Sequence, residues 1–317
     1  MPTLQKFVRA SAPSAAKDDP LGPLAELPGT WAGRGFNVMG LPVADPNIKF
    51  RVKLNAYQET LTFSDIGAQV PNRANDPNPL GKFQPDINLF GVHYLQMIDD
   101  LNGEGPLHLE TGIWLNVPAT TNPVSEPTVA RLASIPHGDS VLAPGRAIVV
   151  QGGPQIEIAD STPFTLNPTT GARINDTSDP YLAPYKNAVP PPGIPAEAVL
   201  TPNVLLKAAI AGQNIKKTVV LIVNASPVGG INGSPVTPQP GADGGIVNIP
   251  FVVQNANANS MSAIFWIEWV ENADGGHFLQ LQYTQTVILD FPVPGADGKT
   301  MVNIKWPHVS VATLIKR

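Results

Sequence analysis

MSAIFWIEWVE (261–271), NADGG (272–276) and HFLQLQYTQTVILDF (277–291) make up the stretch on which the fold turns. Apolar and polar residues alternate along both flanks, and Asp-Gly lies in the short polar turn between them. This pattern predicts a long antiparallel hairpin. A second turn, PVPGADGK (292–299), leads to a final strand, MVNIKWPHVSVATLIK (301–316).

The same period of two recurs in FRVKLNAYQETLTF (50–63), DINLFGVHYLQMI (86–98) and LHLETGIWLNV (107–117). In the first of these, Phe50, Val52 and Leu54 oppose Arg51, Lys53 and Asn55. LAELPGTWAGRGFN (24–37) reads as an opening strand in which Gly33 and Gly35 allow close backbone approach or a bend. RAIVVQGG and PQIEIAD (146–160), KKTVVLIVNAS (216–226) and IVNIPFVV (246–253) read as further strands. Roughly ten strands joined mostly by short turns predict an all-β protein, a closed antiparallel up-and-down β-barrel of lipocalin-like shape. The alternative with the same strands is a β-sandwich. A barrel of this size leaves room inside for one small ligand, apolar or flat.

The 35 prolines and 28 glycines cluster between apolar segments and act as punctuation. Residues 1–23 read as a flexible N-terminal tail, and 24–317 as a single barrel domain with a long Pro-rich insertion at about 160–245. One short helix is signalled at 201–212, TPNVLLKAAIAG, with Thr201 as N-cap, Pro202 in the first turn and Gly212 as stop.

The chain has no cysteine, which excludes disulfides, thiolate metal sites and cysteine nucleophiles. Its net charge of -5 with no basic run argues against nucleic acid as a partner. No stretch has the length and apolarity of a membrane span, and the start lacks the apolar core of a signal peptide, so a cytoplasmic location is expected. Nothing in the sequence sets the oligomeric state.

Five histidines are present, His93, His108, His137, His277 and His308, and none forms a zinc pattern. There is no nucleophile elbow and no P-loop. His308 lies on the last strand with Trp306, Ser310 and Ala312 on its face. It reads either as a hydrogen-bonded core histidine or as a nitrogen ligand with room beside it for a flat macrocycle. With thiolate absent, imidazole is the axial ligand type that fits besides tyrosine. His108 and Glu110 share a strand face with Trp114, which forms a buried polar patch if that face is interior and a solvated one if it is not. His137, between Pro136 and Gly138, occupies a turn where it would be solvated or would gate a barrel mouth. Arg34, Arg73 and Arg131 are candidates for meeting ligand carboxylates, with Arg73 in the polar loop VPNRAND (70–76).

Three stretches together resemble the nitrobindin-like, fatty-acid-binding-protein-like haem barrels: LPGTWAGRGFN (27–37), GPLHLETGIW (105–114) and the terminal WPHVSVATLIKR (306–317). The resemblance implies a ten-stranded barrel holding haem b near its mouth, with His308 as the iron's metal ligand. His108, Glu110, Trp114 and His137 would then be cofactor-binding neighbours. It further implies ferric haem chemistry toward nitric oxide, peroxynitrite or peroxide, peroxidase-like or peroxynitrite-isomerase-like if the protein is an enzyme. Two alternatives stand beside it. One is a metal-free carrier of a fatty acid or other small apolar ligand; the other is a non-haem barrel enzyme with His108 and Glu110 as acid and base.

Overall fold

A computed structural model describes residues 19–317 apart from 44–49, 75–82, 102, 104, 123, 158, 168, 171, 175–178, 226–243 and 296–298. Most of the expected tail, Asn75 of the polar loop and nearly all of the 227–245 loop therefore lie outside the described residues.

Ten strands carry the fold: β1 (Gly29–Pro42), β2 (Phe50–Asp65), β3 (Ile87–Asp100), β4 (Pro106–Val117), β5 (Thr128–Ile135), β6 (Asp139–Gln151), β7 (Asn214–Ala225), β8 (Asn257–Glu271), β9 (His277–Pro294) and β10 (Met301–Lys316). Each pairs antiparallel with its neighbour in sequence. The ring closes where β10 returns to β1, from Trp31↔Lys316 to Val38↔Val309. This is the closed up-and-down barrel expected from the alternation. Short strands Gly245–Asn248 and Val70–Asn72 add to its rim on β6 and β3.

The closing seam needs its glycines. A Cβ on Gly33 would lie 2.1 Å from the Thr313 carbonyl oxygen, and one on Gly35 would lie 2.3 Å from the Tyr57 ring. Both positions face the interior, where Tyr57 is fully buried.

Half of the barrel interior is solid. Trp31, Tyr57, Phe63, Tyr94, Trp114 and Phe265 fill it with aliphatic side chains from β7, β8 and β9. A second cluster lies outside the wall. There Phe36, Val38, Phe50, Phe291, Trp306 and Val309 are covered by the chain between about 156 and 210, including Tyr181, Tyr185 and Leu206. Trp306 stacks on Phe291 at 4.7 Å and donates its indole N–H to that residue's carbonyl at 3.1 Å. Full burial of each such aromatic contributes about 2–3 kcal/mol. The described part of the inserted segment thus clads one side of the barrel.

Several local expectations change. Three helices occur among the described residues where one was expected: α1 (Asp179–Lys186), α2 (Val204–Ile210) and α3 (Pro250–Asn255). The expected helix at 201–212 is shorter than its apolar pattern. Thr201 caps nothing and instead donates its hydroxyl to the Glu197 carbonyl at 2.9 Å. The expected strand IVNIPFVV splits into the rim strand Gly245–Asn248 and α3, because Pro250 lacks the N–H a ladder needs and starts a helix readily. The described residues of PQIEIAD form no strand, whereas TVARLASI, unremarked in the sequence, is β5. Trp306 packs in the outer cluster and does not share the interior with His308.

Gly33→Ala is expected to lower unfolding free energy by about 2–4 kcal/mol. Gly245→Ala, with nothing within 4 Å of its added Cβ, is expected to stay within about 0.5 kcal/mol of wild type. Urea titration of the two variants checks this, and equal stability would mean that the seam does not depend on backbone contact.

Candidate functional site

Above the aromatic plug the barrel is open, leaving a cavity of about 560 Å³. That is within the usual range for a small-molecule site. Met39, Leu41, Ile135, Phe251, Val252 and Leu289 line it with apolar surface. Helix α3 lies against the mouth and is tied to the β5–β6 turn, since the Ile249 amide donates to the Gly138 carbonyl at 2.9 Å. Deeper in, the lining turns polar, with Asn37, Asn55, Gln96, Glu110, Arg131 and Tyr283.

His308 lines this cavity from β10. Its face follows from the seam register, because Asn37 pairs with both Ser310 and Asn55 in one inward row. The next inward position on β10 is His308. Its Nε2 lies 3.5 Å from Ser310 Oγ, the outer limit of a hydrogen bond. Burial lowers the imidazole pKa to about 4, with His108 and His137 adding to the effect. At neutral pH the ring is therefore uncharged and has a nitrogen available to a ligand.

The opposite wall carries an ionic chain. Four strands separate β10 from β5 on either side of the ring, and β5 lies between the strand of His108 and the turn of His137. Arg131 on β5 pairs with Glu110 on β4 in the interior. Arg131 Nε also donates to Tyr94 Oη at 3.0 Å, and its Nη1 donates to Gln285 Oε1 at 2.5 Å. Tyr94 in turn donates its hydroxyl to Glu110. His108 Nε2 stands 3.4 Å from Glu110 Oε2, and its Nδ1 is 3.3 Å from His137 Nε2. Burial alone would raise the Glu110 carboxyl, but Arg131 and the bonds from His108 and Tyr94 outweigh it and hold the pKa at about 2. Glu110 is thus a fixed anion. It orients His108 and is not itself poised to exchange protons near neutral pH, so any acid–base role on this wall falls to His108 with His137.

Behind the lining residues Gln96 and Tyr283 lies a second carboxyl with the opposite behaviour. Glu59 accepts from Tyr283 Oη at 2.7 Å and Gln96 Nε2 at 2.7 Å. No cation pairs with it among the described residues, and burial pushes its pKa up to about 7. Glu268, buried on the outer face with Gln280 as donor, is raised to about 7 for the same reason.

Of the residues expected from sequence, His308, His108, Glu110 and His137 all line the one cavity. Trp114 does not; it lies beneath, edge-on to Phe265 at 5.2 Å, as part of the plug. Among the arginines, Arg34 is exposed on the outer face, Arg73 is exposed and paired with Asp86, and Arg131 is already occupied by Glu110. The cations that line the cavity are instead Arg51 and Lys53, accompanied by Arg131. The alternation along β2 left open whether they or Phe50, Val52 and Leu54 form the inward set. The outer cladding makes the apolar residues the outward one. His93 points outward to Thr111 Oγ1 at 2.9 Å.

No three His, Asp or Glu side chains among the described residues are grouped to hold a bare metal ion. No helix among the described residues is long and apolar enough to cross a membrane. No protein-family model matches the chain, and no curated protein matches it. Among solved structures the chain is similar to the crystal structure of Rv2717c from M. tuberculosis. The match has 15% identity and a TM-score of 0.38, over 94% of this chain and 97% of that one.

Raised carboxyl pKa values fix a direction of pH dependence. The folded state holds protons on Glu59 and Glu268 up to about pH 7, whereas the unfolded chain loses them near 4.5. These two carboxyls therefore contribute a fall in stability as pH rises from about 4.5 to 7, opposed in part by the lowered pKa of His308. Glu59→Gln/Glu268→Gln is expected to remove this fall, leaving the rise from His308, and to gain roughly 1–3 kcal/mol at pH 8. Urea unfolding at pH 5 and pH 8 checks both statements.

Proposed function

We propose that this protein binds haem b in the barrel cavity, with the imidazole of His308 as the axial ligand. The observation that carries the reading is a single neutral histidine on one wall of a cavity of about 560 Å³. The residues fit such a group in three respects. The imidazole keeps its lone pair at neutral pH, small Ser310 and Asn37 leave space beside it, and the mouth offers apolar surface from Met39, Leu41 and Leu289. Ferric haem, when bound, supplies the redox chemistry, and nitric oxide, peroxynitrite or peroxide are the reactants this reading names.

The chain's own contribution is ligation, exclusion of water and a proton source. His108 faces the cavity from the wall opposite His308, with Glu110 beneath it and His137 beside it. The carboxylate favours the tautomer with hydrogen on Nε2, so Nδ1 is left to share a proton with His137. That pair can give or take a proton at a ligand without moving the Glu110–Arg131 ion pair. A metal-free carrier of an apolar acid is the second reading, favoured by the apolar upper lining.

Titration of apo protein with haemin is expected to give a sharp Soret band saturating at one equivalent, and His308→Ala is expected to abolish it with the fold retained by circular dichroism. Because the imidazole stays neutral to about pH 4, the band is expected to persist at pH 5, below the ordinary titration of histidine. A non-saturating spectrum, or uptake indifferent to His308→Ala, would overturn the reading and leave the carrier.

A further inference from the structure

We propose that Asn37 and Asn55, with Ser310 and Gln285 beside them, form a hydrogen-bonding subsite for an uncharged carboxamide or lactam edge of a ligand. The proposal rests on the reading of the cavity as a ligand site and does not depend on the ligand being haem. It adds the chemistry of the group that reaches the wall beneath His308.

The register assembles the subsite. Gln285 on β9 pairs with Ser310 on β10, Ser310 with Asn37 on β1, and Asn37 with Asn55 on β2. Four adjacent strands thus contribute one continuous inward row, about 14 Å across three strand spacings. All four residues line the cavity. One inward step toward the mouth on β10 stands His308. One step the other way the same strands carry Tyr283, Ala312, Gly35 and Tyr57, where the solid half of the interior begins.

The row is uncharged, and its hydrogen-bonding capacity is only partly used. Asn55 Nδ2 donates to Asn37 Oδ1 at 2.7 Å. Asn37 Nδ2 and Asn55 Oδ1 have no further partner among the described residues, although the two side chains belong to residues only 6% and 2% exposed. Exchanging oxygen and nitrogen in both amides leaves the same complement of one free donor and one free acceptor. Gln285 is oriented by Arg131: a guanidinium only donates, so Gln285 Oε1 faces it at 2.5 Å and Nε2 remains a donor. Ser310 Oγ meets His308 Nε2 at 3.5 Å, the outer limit of a hydrogen bond.

Buried amides left without partners are costly, and this selects the group they accept. An ester or ketone takes a bond from Asn37 Nδ2 but offers no N–H to Asn55 Oδ1. A carboxylate fails in the same way and brings a charge. Arg131, which holds Gln285, is already neutralised by Glu110, so the row itself offers nothing to compensate that charge. A carboxamide or lactam carries N–H and C=O side by side and satisfies both asparagines.

The test uses one flat apolar body with three head groups: 2-naphthamide, methyl 2-naphthoate and 2-naphthoate, each titrated into the protein by calorimetry. Wild type is expected to bind the amide about tenfold more tightly than the ester or the carboxylate. Asn37→Ala/Asn55→Ala is expected to erase that preference through loss of amide affinity, with the fold retained by circular dichroism. An ester or carboxylate bound as tightly as the amide by wild type would overturn the subsite. So would binding of none of the three, or an amide preference that survives in the variant. Should the variant fail to fold, the wild-type ranking decides alone. Haemin titration decides the haem reading separately: an amide preference without a Soret band keeps the subsite and removes haem, and a Soret band without that preference does the reverse.

Discussion

The pairing of the first strand with the last is the constraint on which the rest depends. Eight register pairs between β1 and β10 turn a ten-strand meander into a ring, and they do so at Gly33 and Gly35, where a side chain would strike backbone or the Tyr57 ring. Closure satisfies the backbone groups that two long edge strands would otherwise expose. It also sets which residues share an inward row. Because Asn37 meets Ser310 and Asn55, His308 is brought to the cavity wall one inward step from Ser310. A one-residue slip would turn that histidine outward.

Inside the ring, two buried carboxyls receive opposite treatment. Glu110 is matched by a buried guanidinium and remains an anion, while Glu59 has only neutral donors and keeps its proton to about pH 7. An unpaired buried charge is costly, and neutralisation is the cheaper solution where no cation is available. The interior therefore carries a polar belt between an aromatic plug and an apolar mouth, without a large uncompensated charge. His108 stands at the junction, with the fixed anion on one side and His137 on the other.

Much of this was legible in the residues. The β8–β9 hairpin and β10 follow from unbroken alternation and the Asp-Gly turn. His308, His108, Glu110 and His137 were singled out as inward or mouth-facing candidates, and all four line the cavity. The failures share a cause: an inward face that is polar, or an outward face that is apolar. β5 hid because its inward row includes Arg131, and on β2 the alternation left open which of its two sets, Phe50 with Leu54 or Arg51 with Lys53, faces inward. Both patterns arise from contacts distant in sequence, namely the Arg131–Glu110 pair and the cladding by residues near 156–210. Trp306 joined the wrong set for the same reason. Pro250 gave a local signal for the start of α3, but the apolar run around it reads equally well as strand.

The one-sided cladding has a mechanical consequence. The wall formed by β8, β9, β10, β1 and β2 is packed on both faces. On β3, β4 and β6, by contrast, Met97, Leu109 and Leu142 are more than two-fifths exposed on the outside, with no second layer over them among the described residues. A shell braced along one side flexes along the other. The strand bearing His308 is the stiff rib, and widening of the mouth falls on the thin side that carries His108 and His137, so the barrel can yield to admit a guest without moving the imidazole that would grip it.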